Sequence, residues 1–340
     1  MTDKQQRIDW WNLQELLKKH QRFVLTSHVR PDCDALGSEL ALASVIDALG
    51  KEARIVNADA TPPRLAFVDP RRRIEVLGRD VDPGELDECD VIVVLDTSVW
   101  GQLGAMADGL RRLTKQFVVI DHHPGDVEVP GLVLKDPEAE ATGSLVFRAA
   151  RFLDVPLTSE MASALFAAIA TDTGWFRFPS TTSDTFNVIS QLVARGACPS
   201  EIFQQLYERD SMGRMKLRGL VLSRIVAEID GRLAHTHVLA EDFARVGASP
   251  SETEDFVNMA LVIEGVEVAV MLIENPDTTV KVSFRSRGGI DCNRLAATFG
   301  GGGHKAAAGA TLRRPFGETQ SRVLDAVRKA ISASGTLPRA

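Results

Sequence analysis

A histidine and two aspartates lie close together in sequence after an apolar run near the start of the chain. His28, Asp32 and Asp34 follow residues 23–26, whose sequence is typical of a buried parallel strand. In open α/β sheets, functional groups collect where the strands end at their carboxyl edge. Three ligand-type side chains in one such turn would repel each other unless a positive charge lay between them. We therefore expect a metal ion at this turn.

Three later apolar runs, at residues 91–95, 117–120 and 164–170, are also followed by ligand-type side chains. These side chains are Asp96, then Asp121, His122 and His123, and finally Asp172. We expect the first two runs to be strands and the alanine-rich third run to be a helix. A single aspartate after a strand is often only a helix cap. Four such events in one chain favour a shared site.

Six of these side chains form the candidate set of metal ligands. They are His28, Asp32, Asp34, Asp96, His122 and Asp172. Four carboxylates and two imidazoles exceed the needs of one ion and fit two divalent ions that share a bridging carboxylate. A set rich in oxygen and without thiolates favours Mn²⁺ or Mg²⁺, and the histidines favour Mn²⁺, with Co²⁺ as an alternative. Water between two such ions can attack phosphorus.

A glycine-rich segment at residues 300–309 is the second chemical signal. Its consecutive glycines let a backbone approach a ligand closely and point N–H groups at an anion, although a flexible hairpin is the alternative interpretation. It is not a Walker loop, because the Gly-Lys-Ser/Thr ending is missing. Arg285 and Arg287 leave the preceding strand-like run and are expected to clamp a phosphate or stack on a base. The candidate substrate-binding residues are therefore Arg285, Arg287, Gly301, Gly302, Gly303 and His304.

The elements that position these residues alternate between helix and strand from residue 9 to about residue 178. This alternation predicts an α/β fold whose first domain, residues 1–190, contains a mostly parallel sheet with helices on both faces. Residues 191–223 continue a helical pattern that Gly196 and Pro199 interrupt. We expect this stretch to form a helical connector.

The pattern changes in the second half of the chain. Strands are expected at residues 232–239, 266–274 and 279–285, and helices at 252–263, 291–299 and 318–333. These elements predict a second, smaller α/β domain at residues 224–335. His235 and His237 lie on one face of a strand, and we expect them to be structural or surface residues and not metal ligands.

Composition limits the class of partner. The chain has 340 residues and a formal net charge of −7, which argues against a protein that coats long nucleic acid. Short anionic substrates remain compatible with it, because a metal pair and a few arginines can bind them. No apolar run is as long as a membrane helix needs, and four scattered cysteines suit a reducing cytoplasm.

The motifs together resemble those of the DHH phosphoesterase superfamily, named for the triplet found here as Asp121-His122-His123. The first motif, Asp96, the triplet and Asp172 occur in the order of that family, and residues 300–309 resemble the glycine-histidine signature of the DHHA1 domain. The combination is most similar to the bacterial oligoribonuclease/pAp-phosphatase branch. The resemblance implies a cytoplasmic, Mn²⁺-dependent hydrolase of very short RNA and of 3′-phosphoadenosine 5′-phosphate (pAp), and some relatives cleave linear or cyclic dinucleotides.

The resemblance also implies a role for each matching residue. One ion would be held by His28, Asp32 and Asp96. The other would be held by Asp34, Asp96, His122 and Asp172, with Asp96 as the bridge. His123 would lie beside the scissile phosphate, and Asp121 would support the site from behind. Arg285, His304 and the glycine loop would bind the far end of the substrate.

Three other functions compete with this interpretation. A family II inorganic pyrophosphatase shares the metal motifs but carries a different second domain. A non-catalytic nucleotide sensor would be expected to have lost metal ligands, and none is lost. A long-strand 5′ exonuclease of the RecJ type is disfavoured by the length of the chain. The sequence leaves open the ranking of dinucleotides, pAp and cyclic dinucleotides, the cleavage polarity, and the oligomeric state, a homodimer included.

Overall fold

The computed structural model describes residues 8–334 and divides the chain into two compact units, Met1–Arg209 and Asp210–Ala340. The division lies inside the stretch 191–223 for which the sequence predicts a helical connector. Residues 1–7 of the predicted first domain and residue 335 of the predicted second domain are outside the described residues. Each unit has its own sheet and its own core, and each is described separately.

The first unit contains a six-stranded sheet in which every pair of neighbours is parallel. Its strands are β1 (Arg22–Thr26), β2 (Glu52–Asn57), β3 (Ile74–Val76), β4 (Val91–Leu95), β5 (Gln116–Asp121) and β6 (Leu132–Lys135). The spatial order is β3-β2-β1-β4-β5-β6, so the direction of strand addition reverses between β1 and β4. A doubly wound sheet places its ligand crevice outside the carboxyl ends of the strands at that reversal.

Helices cover both faces of this sheet, as the sequence predicts. They are α1 (Trp10–Lys19), α2 (Cys33–Ala48), α3 (Ala105–Leu110), α4 (Thr142–Phe152), α5 (Ser159–Asp172), α6 (Ser183–Ala194) and α7 (Pro199–Tyr207), with 3-10 turns at Pro63–Val68, Pro83–Glu88 and Trp100–Gln102. On β1, Phe23 and Leu25 belong to the core with α2 and α5, whereas Val24 belongs to the core with α3. Burial on both faces explains why the strands are continuous apolar runs in the sequence.

Small residues let α2, α4 and α5 approach one another closely. A Cβ atom on Gly37 of α2 would lie 2.4 Å from the backbone oxygen of Ala164 in α5. A Cβ atom on Gly143 of α4 would lie 2.8 Å from the Cβ of Ala168, also in α5. Glycine is therefore required at both positions, and the three helices bring their site-facing ends together.

The second unit contains a mixed six-stranded sheet of order β11-β12-β10-β9-β8-β7, in which only β8 and β9 are parallel. Its strands are β7 (Val226–Glu228), β8 (Leu233–Val238), β9 (Val268–Glu274), β10 (Val280–Ser286), β11 (Gly302–Gly303) and β12 (Ala307–Leu312). Its helices are α8 (Met212–Ser223), α9 (Ala240–Val246), α10 (Phe256–Leu261), α11 (Cys292–Ala297) and α12 (Phe316–Ser334), with a 3-10 turn at Pro250–Thr253.

The strands predicted in this unit are confirmed, but one helix is shorter than expected. The sequence predicts a helix over residues 252–263, whereas α10 covers only Phe256–Leu261. Asp255 adopts a left-handed backbone with φ of +66°, which a continuous right-handed helix does not accommodate. Among residues 8–334, no helix is long and apolar enough to cross a bilayer.

We predict that Gly37→Ala lowers the free energy of unfolding by about 1–3 kcal/mol, because the added methyl group must displace the α5 backbone. Gly109→Ala in α3 is the matched control, since its Cβ would meet only Leu86 Cδ1 at an ordinary 3.5 Å. That change should leave stability unchanged or raise it by about 0.5–1 kcal/mol, as for other helical glycines. Urea unfolding of both variants makes the comparison, and equal stabilities would contradict the close-packing argument.

Candidate metal centre

The loop after β1 carries the first three candidate ligands at the edge where strand order reverses. Asp32 is the N-cap of α2, and its Oδ1 accepts hydrogen bonds from the backbone N–H groups of Asp34 at 2.9 Å and Ala35 at 3.1 Å. Starting the helix in this way places Asp34 in its first turn, where it is fully buried. Asp32 keeps an exposed side chain, so the two aspartates face the site from different environments.

His28, Asp32 and Asp96 form the first candidate ligand group. His28 Nε2 lies 3.3 Å from Asp96 Oδ2 and 3.9 Å from Asp32 Oδ1. His28 Nδ1 is 2.9 Å from the backbone oxygen of Val29, which can only accept a hydrogen bond. The ring therefore carries its proton on Nδ1 when neutral and presents the lone pair of Nε2 to the carboxylates, as a metal-binding histidine does.

Asp34, His122 and Asp172 form the second candidate group. His122 Nε2 lies 3.7 Å from Asp34 Oδ2 and 3.5 Å from Asp172 Oδ2. Its Nδ1 is 3.1 Å from the backbone oxygen of Ala139, which fixes the proton there. His122 Nε2 is buried and has no hydrogen-bond partner among the described residues. A buried nitrogen lone pair surrounded by carboxylates fits a cation, because without one it stays unsatisfied.

Asp96 faces both groups. Its Oδ2 approaches His28, while its Oδ1 lies 3.7 Å from His122 Nε2 and accepts a hydrogen bond from Thr142 Oγ1 at 2.9 Å. The residue is 1% exposed and has a left-handed φ of +60°, which is uncommon outside glycine. That conformation turns the chain directly after β4 and directs the carboxylate into the site.

The amino end of α4 holds Asp34. The backbone N–H groups of Thr142 and Gly143 donate to its two carboxylate oxygens at 2.7 and 2.8 Å. The positive end of a helix dipole and these free N–H groups favour a negative charge here. Sequence reasoning missed both residues. The only local signal is a Thr-Gly-Ser start before an apolar run, which is common at helix ends.

The electrostatics of the buried Asp34 and Asp96 and of the half-buried Asp172 favour a bound positive charge. Burial, followed by repulsion from Asp34 and Asp32, raises the pKa of Asp172 to about 8. Burial and repulsion from Asp34 raise the pKa of Asp96 well above its usual range, and burial also raises the pKa of Asp34. A divalent cation among them would offset both effects. The described residues thus include acidic and histidine groups that could hold metal ions.

Asp121 and His123 form a separate pair beside the ligand groups. Asp121, the last residue of β5, is fully buried. Its Oδ1 accepts hydrogen bonds from the backbone N–H of His123 at 3.0 Å and from His123 Nδ1 at 2.9 Å. Lys135 of β6 places its Nζ 3.0 Å from Asp121 Oδ2 and donates to Ser98 Oγ at 2.8 Å. Lys135 and Ser98 are further residues that sequence reasoning missed.

These contacts shift the pKa values of both Asp121 and His123. Burial acts to raise the pKa of Asp121, but the hydrogen bonds from His123 and Lys135 outweigh it and lower that pKa well below its usual range. The hydrogen bond to Asp121 raises the pKa of His123. His123 is half-exposed and its Nδ1 is 3.7 Å from Asp96 Oδ1. The pair therefore presents a half-exposed imidazole, whose protonated form Asp121 stabilises, next to the ligand groups.

The glycine-rich segment lies in the second unit, whereas all six candidate metal ligands lie in the first. Its β11 pairs antiparallel with β12, and His304 and Ala307 close the turn between them through backbone hydrogen bonds. A Cβ atom on Gly301 would lie 2.1 Å from the oxygen of Gly309, and one on Gly303 would lie 2.7 Å from that of Ala307. Close approach to β12 thus explains both glycines, and His304 is exposed at the turn.

The sequence predicts that both candidate arginines leave the strand, but only one of them does. Arg285 lies within β10, on the face opposite Phe284, and only Arg287 lies beyond the strand end. Arg287 donates to the backbone oxygen of Leu261 at 2.7 Å and is otherwise exposed. On its own face of β10, Arg285 lies in line with Lys281 and Ser283, so this face is polar, as the alternating pattern predicts.

Comparison with known proteins identifies the family of the chain. The model of the DHH family N-terminal domain matches residues 22–169, and the model of the DHHA1 domain matches residues 235–333. A bifunctional oligoribonuclease and PAP phosphatase NrnA from Thermus thermophilus is 35% identical over 317 residues, which cover 92% of this chain and 91% of the relative. The chain belongs to the DHH family.

Solved structures of other proteins share the fold of this chain. An exopolyphosphatase-related protein from Bacteroides fragilis matches with a TM-score of 0.90 and 27% identity, over 97% of this chain and 99% of the other. The exonuclease RecJ bound to manganese matches with a TM-score of 0.56 and 16% identity, over 98% and 96% of the two chains. The resemblance to the DHH family and the α/β fold class are thereby confirmed.

We predict that Lys135→Met lowers the free energy of unfolding by about 3–5 kcal/mol, because it leaves Oδ2 of the buried Asp121 carboxylate without its ammonium partner. Lys18→Met is the matched control, since Lys18 pairs with Glu15 on the surface and should be nearly neutral. Urea unfolding at pH 7 compares the two. If both variants lost the same small amount, Asp121 would not depend on Lys135.

Proposed function

We propose that this chain is a two-metal phosphoesterase that hydrolyses very short oligoribonucleotides, of about two to five nucleotides, to mononucleotides. We propose that it also removes the 3′-phosphate of pAp to give AMP. The observation that carries the proposal is the pair of ligand groups that share Asp96. The printed activities of the Thermus thermophilus relative support the choice of substrates.

In this proposal, His28, Asp32 and Asp96 hold one ion, and Asp34, Asp96, His122 and Asp172 hold the other. The bound ions supply an activated water and positive charge for the phosphoryl oxygens. We propose Mn²⁺, with Mg²⁺ or Co²⁺ as alternatives, because the donors are carboxylates and imidazoles without a thiolate.

His123 supplies the proton chemistry in this proposal. Its Nδ1 is committed to Asp121, so Nε2 remains to donate to a phosphate oxygen of the substrate. The hydrogen bond to Asp121 raises the pKa of His123 and so favours the protonated ring. Asp121 orients the imidazole, and Lys135 orients Asp121. A fixed, charged donor of this kind stabilises the charge that develops as the ester bond breaks.

Substrate binding is proposed for the second unit. Arg285 and His304 would bind the non-reacting end of the substrate, together with the glycine segment and Arg287. The candidates are Arg285, Arg287, Gly301, Gly302, Gly303 and His304. Among the three glycines, only Gly302 has room for a side chain, because its Cβ would meet only Asn293 Oδ1 at an ordinary 3.8 Å. Packing within the chain therefore does not require glycine there, and close approach of a ligand would. Guanidinium and imidazolium groups bind phosphates by charge-assisted hydrogen bonds.

We place the domains of this enzyme at residues 1–190 and 224–335, with residues 191–223 as the connector. A reducing cytoplasm is the proposed compartment, because Cys33, Cys89, Cys198 and Cys292 are all free. Short RNA and nucleotides are the proposed partners, and a homodimer is left to measurement.

We predict that kcat/KM with Mn²⁺ is highest for RNA of two to five nucleotides and falls at least ~10-fold for a strand of about twenty-four, because an acidic protein offers no basic track for a long strand. Assays across this series, with pAp and pyrophosphate alongside, test the function. Asp96→Asn is the inactive control, since it alters the shared ligand. Equal efficiency on a dimer and on the long strand, or a preference for pyrophosphate, would overturn the proposal.

We predict that His304→Ala lowers kcat/KM for a dinucleotide ~10–100-fold, as for a lost charge-assisted contact of about 1.5–3 kcal/mol, and leaves the Mn²⁺ content unchanged. Activity on bis-p-nitrophenyl phosphate, a small diester, should change little. His20→Ala, at the end of α1, is the control for loss of a histidine elsewhere. Loss of metal, or an equal loss on both substrates, would assign His304 to the catalytic centre or to the fold.

A further inference from the structure

A carboxyl group is buried in α2 at a position that the proposed chemistry does not use. Glu39 is completely buried in α2, five residues after the candidate ligand Asp34. Its Oε2 accepts a hydrogen bond of 2.9 Å from Nδ2 of Asn57, the last residue of β2. Burial raises the pKa of Glu39 to about 8, so the side chain is a neutral acid at neutral pH. Burying a polar group lowers the stability of the fold unless the group is hydrogen-bonded. The hydrogen-bond partners of Glu39 therefore indicate what the residue does.

The side chain of Asn57 links β2 to the chain after β1, two residues beyond the last registered pair of these strands. The registered pairs between β1 and β2 end at Leu25 and Ile55. Beyond them, Asn57 Oδ1 accepts hydrogen bonds from the backbone N–H of Ser27 at 3.2 Å and from Thr26 Oγ1 at 3.3 Å. Asn57 is 1% exposed and Ser27 is fully buried. Without this side chain, the Ser27 N–H would lose its partner in the interior.

The hydroxyl of Ser27 joins the same cluster. Ser27 Oγ and Glu39 Oε1 are both buried without a hydrogen-bond partner among the described residues, and the nearby Ser27 side chain acts to lower the pKa of Glu39 against the effect of burial. Glu39 therefore contacts the chain beside His28 in two ways, through Asn57 and through Ser27. Glu39 lies in α2, Asn57 ends β2, and Ser27 directly follows β1. The cluster therefore connects three elements next to the loop that carries His28.

We propose that Glu39 is a positioning residue for the first metal position: through Asn57 and Ser27 it fixes the backbone from which His28 reaches the site. The inference builds on the two-metal centre of the proposed function. His28 directly follows Ser27, and its Nε2 reaches Asp96 Oδ2 at 3.3 Å. The second ligand group, with Asp34, His122 and Asp172, is held separately by α4, by the Ala139 backbone and by α5.

Because different contacts hold the two ligand groups, loss of the Glu39 contacts should affect only one of the two metal positions. Outer hydrogen-bond partners of metal ligands typically change metal affinity ~10–100-fold when they are removed. Loss of the Glu39 contacts should therefore weaken one of two metal-binding steps and leave the other nearly unchanged. A role in general packing would instead lower thermal stability and weaken both steps together.

The test is a calorimetric titration of the full-length protein with Mn²⁺ alone, without substrate. Glu39→Gln keeps an acceptor for Asn57 and should bind both ions as the wild type does. Glu39→Met removes the acceptor at similar volume and should weaken one step ~10–100-fold. Ser44→Ala, which removes a hydrogen bond from the same helix away from the cluster, is the control and should match the wild type.

His28→Ala identifies the affected step. The double variant with Glu39→Met should bind Mn²⁺ no more weakly than His28→Ala, because the two changes act on the same ligand. If Glu39→Met does not fold, Asn57→Ser makes the same comparison. Equal weakening of both steps, unchanged binding in Glu39→Met, equal losses in Glu39→Gln and Glu39→Met, or additive losses in the double variant would overturn the proposal. The titration measures Mn²⁺ binding and not RNA hydrolysis. Failure of this proposal can therefore be distinguished from failure of the proposed activity.

Discussion

Mutual repulsion among Asp34, Asp96 and Asp172 is the constraint on which the rest of the first unit depends. Three carboxyl groups meet at one edge of a parallel sheet, two of them fully buried, and two imidazoles direct unprotonated nitrogens toward them. Burial and repulsion raise the pKa values of these acids, and bound cations would offset both effects. The strand order explains why they meet, because the edge lies where the sheet reverses between β1 and β4.

Holding such groups in place requires supports that oppose the repulsion. The α4 N-terminus donates two N–H groups to Asp34, and Gly37 and Gly143 let α2, α4 and α5 come close enough for this contact. Asp96 keeps an uncommon left-handed backbone, at a cost on the order of 1–3 kcal/mol. Glu39 and Asn57 hold the loop of His28 from below. Each support is a hydrogen bond or a close approach whose partners are distant in sequence.

Contacts between residues that are distant in sequence are the part of the site that the sequence could not predict. Ligands that follow strands are visible because a buried strand is a recognisable apolar run and parallel strands end at one edge. The contact between Thr142 and Asp34 joins residues 108 positions apart, and no local sequence pattern predicts it. Lys135, Asn57 and Glu39 are likewise ordinary residues whose roles depend on tertiary contacts. For Gly301 and Gly303, the sequence suggested a ligand, whereas the structure supplies a neighbouring strand.

If cations bind the carboxylate cluster as proposed, they stabilise the folded first unit. The most direct measurement is urea unfolding of metal-stripped protein with and without Mn²⁺ at about one hundred times its dissociation constant. Ions that bind only the folded state should raise the free energy of unfolding by about 2.7 kcal/mol for each occupied position, and Asp96→Asn should lose most of that gain. An unchanged free energy of unfolding with saturating Mn²⁺, or an equal gain in Asp96→Asn, would contradict the account.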